Sequence, residues 1–401
     1  MTDPALLGAL ADLHELLRTL VKGQDQPNRV WDPGLGCLGW QLGAAVYRET
    51  YWLRERIEGD AGLTERVRHL FPDPWASAPA GDAEQVCAGL PPGEHLLAWA
   101  AEIQHEHLRR LATPGALPDH PLLAGGRLPW LLLQENALAY ERMLALLLRR
   151  SIAAGPGDWR ASAPPRPSAA APELVQLTQG HYRIGSRDDP FAYDNELPPQ
   201  AVELSSFRIA VHPATNAQYL AFMESGGYLD RTLWDDPGRT WLEGRDPAAL
   251  KPLGWCRDGG GAWCRMGLNG PAELPAGEPV GGICRHEALA FAAWAARLGG
   301  IQAGAVLQHE YQWEIAARAG RIEGTGLVRE WCANPFHPYP GFAPFPDPGA
   351  SALGFERDEG VMRGACLHTQ RCLRRASFRH HRPPDERCGF AGLRLVYPPS
   401  H

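Results

Sequence analysis

The residues best equipped for chemistry crowd into one stretch, Val361 to Tyr397 (VMRGACLHTQRCLRRASFRHHRPPDERCGFAGLRLVY), with three cysteines, three histidines and eight arginines. Cys366, His368, Cys372, His380, His381 and Cys388 are soft or borderline donors within 23 residues. Such donors build zinc-type metal sites or reactive thiol centres once the fold makes them converge. Donor types alone do not establish convergence, and small cysteines also serve as packing residues. The stretch closes on a strand-like GLRLVY, so it forms the irregular but ordered floor of a polar pocket.

Histidines elsewhere are sparse. His105 and His107 sit two apart in IQHEHLRRL, which places them roughly 200° apart around a helix and makes them poor joint ligands. They are expected on a solvated helix surface. His14, His69, His95 and His120 are isolated, and each is expected to be a surface or capping residue.

The elements that must position these groups fall into two blocks. Residues 1–152 show apolar residues at three- and four-residue spacing in Pro4–Val21, Leu38–Glu58, Ala61–Leu70, Pro92–Ala112 and Pro129–Ser151, the pattern of an antiparallel helical bundle. Residues 153–172 are rich in Pro, Ala and Gly and form a linker. Residues 173–401 turn to short strand-type runs with many Gly, Pro and Trp, interrupted by helical stretches at Asn216–Ser225, Arg285–Leu298 and His309–Ala319. The fold class is therefore α+β.

Composition narrows the function. A 401-residue chain with 44% hydrophobic and 21% charged residues is globular and long enough for more than one domain. A net charge of −7 gives no footing for nucleic acid. No apolar run reaches the roughly 18 residues of a membrane span, and the N-terminal MTDPALLGALADLHELL lacks the marks of a secretion signal. Nine cysteines without a tight framework point to reduced thiols and a cytoplasmic protein. There is no P-loop, Rossmann fingerprint or G-x-S-x-G elbow.

The second block resembles the formylglycine-generating-enzyme (sulfatase-modifying-factor) domain, beginning at Gly180–Tyr228. FAYDNELP and the T-N-x-x-Y-L-x-F run at Thr215–Phe222 are similar to the ergothioneine- and ovothiol-type sulfoxide synthases. EYQWEIAARAG (Glu310–Gly320), VREWCANPFHPYPGF (Val328–Phe342) and RPPDERCGFAGLRL (Arg382–Leu395) follow in the same order. The resemblance implies a C-type-lectin-like fold here and a DinB-like four-helix bundle ahead of it.

It also implies a test. Those synthases hold one non-haem Fe(II) through three histidines of the bundle, one in W-x-L-x-H and two in H-E-x-x-H-x-E, whose i and i+4 positions share a helix face. LGWQLGAAVYRETYWLR (Leu38–Arg54) matches the first place with Ala44 at the ligand position. ENALAYE (Glu135–Glu141) matches the second with Glu135 and Ala139. One carboxylate is too few for iron of this type. Glu135 is expected instead to pair with an arginine such as Arg54 or Arg142.

Formylglycine-generating enzymes bind copper(I) through two cysteines of the equivalent C-terminal segment, but Cys366 and Cys372 are out of register with that pair. Copper or zinc at Cys366, His368, Cys372 and Cys388 is thus the lesser expectation. The synthases' substrate segment maps onto Arg379, His380, His381, Arg382, Asp385 and Arg387, more basic than in relatives and suited to an anionic ligand, or to bracing loops. Their catalytic tyrosine has no match in Ala343–Phe355.

Three functions follow. The first is a divergent sulfoxide-synthase-like protein without the inherited iron, binding a small polar molecule of amino-acid-betaine or thiol type, or a homologous active enzyme, at the interface of its domains. The second uses another metal or a thiol at the Cys/His cluster. The third is an iron-dependent oxygenase forming C–S or C–Se bonds on a histidine betaine, as for ergothioneine, ovothiol or selenoneine.

Overall fold

A computed structural model describes residues 3–24, 26–113, 115–187, 189–346 and 350–399. The chain divides into two compact units, Met1–Arg150 with Gln370–Leu373, and Ser151–Thr369 with Arg374–His401.

The first unit is helical: α1 (Pro4–Lys22), α2 (Leu38–Thr50), α3 (Gly62–Val67), α4 (Ala83–Ala88), α5 (Gly93–Ala112) and α6 (Arg127–Ala154). Pro4 opens α1, where its missing N–H is no loss, and Asp3 caps the backbone of Ala5 at 2.9 Å. Leu6, Leu10, Leu13, Leu17 and Val21 then form its buried stripe. By contrast every residue of α2 is buried, so it runs through the centre of the unit. It continues as a π-helical turn over Tyr51–Ile57. Gly43 on α2 has no room for a side chain, because a Cβ there would meet the Phe71 ring at 2.4 Å.

In the second unit β1 (Leu174–Leu177), β2 (Gly180–Ile184), β3 (Gln200–Leu204) and β4 (Phe207–Ala210) lead to α7 (Asn216–Glu224) and α8 (Asp236–Glu243). The hairpins of β5 (Trp255–Arg257), β6 (Trp263–Gly267) and β7 (Gly270–Ala272) precede α9 (Arg285–Arg297), β8 (Val306–Leu307) and α10 (Glu310–Arg318). The chain closes with β9 (Arg329–Pro335), α11 (Ala350–Glu356), β10 (Gly360–Arg363), β11 (His380–Arg382), β12 (Ala391–Leu393) and β13 (Leu395–Tyr397). One four-stranded sheet is ordered β1-β4-β13-β8 and another β11-β10-β9-β12, the β9–β12 pair alone in it being parallel. Helices and small sheets enclose an aromatic core of Tyr219, Phe222, Trp255, Phe291 and Trp294. The fold class is α+β, as expected.

The Pro/Ala-rich segment has no helix or strand beyond the end of α6, but it is no free linker. It is strapped to the second unit: Ala161 N donates to Asp258 Oδ2 at 2.8 Å, Ser168 N to the Ala217 carbonyl at 2.9 Å, and Gln302 Nε2 to the Ala169 carbonyl at 3.0 Å. Periodicity missed α4, α8 and α11, all short and set among loops.

Candidate functional site

The positions matching the metal ligands lie on α2 and α6. Ala44 packs among Trp40, Tyr47 and Phe71. Ala139 is fully buried among Leu42, Val46 and Met143. Glu135 is buried and sits 3.7 Å from Arg48, whose Nε also donates to the Pro74 carbonyl at 2.6 Å. Arg48 is thus one arginine beside it; Arg54 is engaged by Glu58, Asp60 and Glu106, and Arg142 Nε donates to Gln41 Oε1 at 2.9 Å. Two methyl groups in side-chain packing and one carboxylate already facing a guanidinium do not fit an iron ion, which needs about three fixed donors and open positions.

The C-terminal segment is held by buried ion pairs. Arg379 donates to both Glu310 oxygens at 2.8 and 2.9 Å, and to the carbonyls of Asn195 and His337 at 2.8 Å each. Arg387 donates to Glu287 at 2.9 and 2.6 Å and to the Ala249 carbonyl. These geometries give both arginines a bracing task. Arg363 bridges Glu310 and Glu314, and Arg394 grips Glu330 with two 2.8 Å bonds. Burial alone would raise the Glu310 pKa, but the charges of Arg379 and Arg363 outweigh it and hold the carboxyl below its usual range. His381 stacks on Phe336 and lies 2.5 Å from Glu359. His380 and Arg382 are half-buried on β11, and Asp385 is exposed.

The cysteines of this segment do not assemble a metal site. Cys366 Sγ lies 3.3 Å from Thr369 Oγ1, His368 meets the Phe390 ring edge-on, and Cys372 belongs to the stretch that clusters with the first unit. Burial pushes the Cys388 thiol up to about 11. Among the described residues, no group of three or more His, Cys, Asp or Glu is arranged to hold a metal ion. The loop expected to carry the family tyrosine includes residues 347–349, which lie outside the described residues.

One polar cluster escaped the reading of the sequence. His14 on α1 and His107 on α5 are each 1% exposed, not solvated. Both meet Glu49 of α2: His14 Nε2 lies 2.7 Å from Oε1, and His107 Nδ1 lies 3.1 Å from Oε2. Asn136 of α6 donates to Oε1 at 2.7 Å. Burial would raise the Glu49 pKa, but His14 and His107 overcome it and hold the carboxyl well below its usual range. A signal was present. His14 and His107 continue the apolar stripes Leu10–His14 and Ile103–His107–Leu111, where a polar group must find a partner. His105, His69 and His95 are exposed, and His120 caps Leu122 N at 3.2 Å, as expected.

A family model described as a sulfatase-modifying factor enzyme 1-like domain matches residues 160–325. Hercynine oxygenase of Mycolicibacterium thermoresistibile is 30% identical over 441 residues, covering 92% of this chain and 89% of that protein. The chain belongs to the hercynine oxygenase family. Hercynine oxygenase of Mycolicibacterium smegmatis is 28% identical and covers 98% of both proteins. Formylglycine-generating enzyme of Mycobacterium tuberculosis is 32% identical over 168 residues, covering 37% of this chain and 52% of that one. Membership of the hercynine oxygenase family makes Ala44, Glu135 and Ala139 departures at the positions the resemblance assigns to metal ligands. No helix among the described residues is long and apolar enough to cross a membrane.

Proposed function

We propose that this chain is a divergent member of the hercynine oxygenase family that does not perform the inherited iron chemistry and binds a small polar or anionic molecule. The observation that carries the reading is the state of the metal positions: Ala44 and Ala139 are packed methyl groups, and Glu135 faces Arg48. The helical unit is DinB-like and the second unit C-type-lectin-like in this reading, and the protein is cytoplasmic. The ligand is an amino-acid betaine or a thiol, or the partner is a homologous active enzyme. Of the basic residues matched to the substrate segment, half-buried Arg382 is a better ligand contact than Arg379 and Arg387, which are committed to Glu310 and Glu287.

The 30% identity over most of a hercynine oxygenase favours a second reading, an oxygenase forming C–S or C–Se bonds with ligands supplied elsewhere in the chain. Anaerobic loading with Fe(II), followed by metal analysis, separates the two. The expected result is no stoichiometric iron, with calorimetric binding of hercynine-like betaines or γ-glutamyl thiols that weakens in Arg382→Ala. One tightly held equivalent of iron sinks the first reading and supports the second.

A further inference from the structure

Cys256 on β5 and Cys264 on β6 are directly paired across the antiparallel ladder. Their sulfurs lie 3.1 Å apart, and each thiol is also near the other residue's carbonyl, at 3.8 and 3.5 Å. A disulfide needs a further approach of about 1 Å, to ~2.05 Å, so little backbone movement stands between the two states. The hairpin that carries them is pinned. Asp258 Oδ1 accepts from Gly260 N at 2.8 Å and Ala262 N at 2.9 Å, while its Oδ2 accepts from Ala161 of the strap. Arg257 lies over the Trp263 ring, 3.9 Å from its centroid. The two thiols are therefore held opposite each other by turn and strap, and neither belongs to the segments considered above.

We propose that Cys256 and Cys264 form a reversible dithiol–disulfide pair, a modification site whose oxidant is a low-molecular-weight disulfide of the glutathione class. Half-exposed Cys256 attacks first, as its thiolate. It displaces one thiol from the oxidant and leaves a mixed disulfide. Cys264 is fully buried, and burial beside Cys256 pushes its thiol up to about 12, so it remains protonated until the second step. It then loses its proton and attacks the Cys256 sulfur, expelling the second thiol. The balance is two protein thiols oxidised to one disulfide and one small disulfide reduced to two thiols.

The test treats the full chain with oxidised glutathione and follows intact mass and disulfide-mapped peptides. The expected product has lost two hydrogens, carries no glutathione, joins Cys256 to Cys264 and reverts with dithiothreitol. Cys264→Ser should instead accumulate a persistent glutathione adduct on Cys256, and Cys256→Ser should leave Cys264 unmodified. The wild-type peptide map decides the matter even where a variant folds poorly. A stable adduct on the wild-type hairpin, a different pairing, or unmodified Cys256 and Cys264 would overturn the proposal.

Discussion

The positions matched to metal ligands in the helical unit and the C-terminal segment of the second unit are held in opposite ways. In the first, at the positions the resemblance matches to metal ligands, two methyl groups and a carboxylate beside Arg48 are enclosed by Trp40, Tyr47, Phe71 and the apolar stripe of α6. In the second, the arginines are held by buried carboxylates: Glu310 serves both Arg363 and Arg379, and Glu314 shares Arg363. A metal site is a set of donors that side-chain packing can replace without dismantling the helices around it. A buried ion-pair lattice cannot lose one member without leaving a charge uncompensated. The arginines of the second unit's C-terminal segment therefore serve the fold first, and only then any chemistry.

The comparison can be broken most forcefully at Glu310. Glu310→Ala takes the paired carboxylate from buried Arg379 and leaves Arg363 to Glu314, and should cost about 3–5 kcal/mol, read as a lower denaturation midpoint; an effect under 1 kcal/mol would mean the lattice is not what holds the segment. On the other side, Ala139→His pushes an imidazole into fully packed space and should cost about 1–3 kcal/mol through overpacking. A neutral result in the same denaturation assay would show that room for the old ligand has survived.

The smallest effect at neutral pH concerns acid. Glu49, Glu310 and Glu196, which accepts from Arg375 Nε at 2.9 Å, all have folded-state pKa values below the ordinary carboxylate value, because the side chains paired with them outweigh burial. Their contribution is complete above the unfolded value of about 4.3 and is lost as the pH falls through the folded values. Stability should therefore be flat from neutrality down to about pH 5 with respect to these groups, then decline. Glu49→Gln should flatten part of that decline, checked by denaturation at stepped pH.

Helix existence was legible because burial follows a 3.6-residue period: α1 and α5 begin and end within a residue of where the apolar spacing places them. Ala44 and Ala139 carry no metal donor whatever the fold, and it is the resemblance that sets them at ligand positions. What stayed hidden was long-range pairing. His14 lies 35 residues from Glu49, and His107 lies 58 residues away, each a single polar residue on an apolar stripe with no local pattern to name its partner. The commitment of Arg379 to Glu310 across 69 residues is of the same kind. Cross-strand facing of Cys256 and Cys264 needed the hairpin register, which a Trp- and Gly-rich loop does not announce by periodicity.

The strap over residues 153–172 bears on how the protein can be cut. Ala169, Ala170 and Pro172 line one side of a small cavity whose other walls include Phe291, Trp294 and Tyr397. A fragment begun at residue 173 would strip that cover and bare aromatic rings to water, whereas one begun at Ser151 keeps the covering segment attached to the unit it seals. A segment that looks expendable in the sequence thus supplies, through Ala169, Ala170 and Pro172, one wall of the second unit's aromatic cavity.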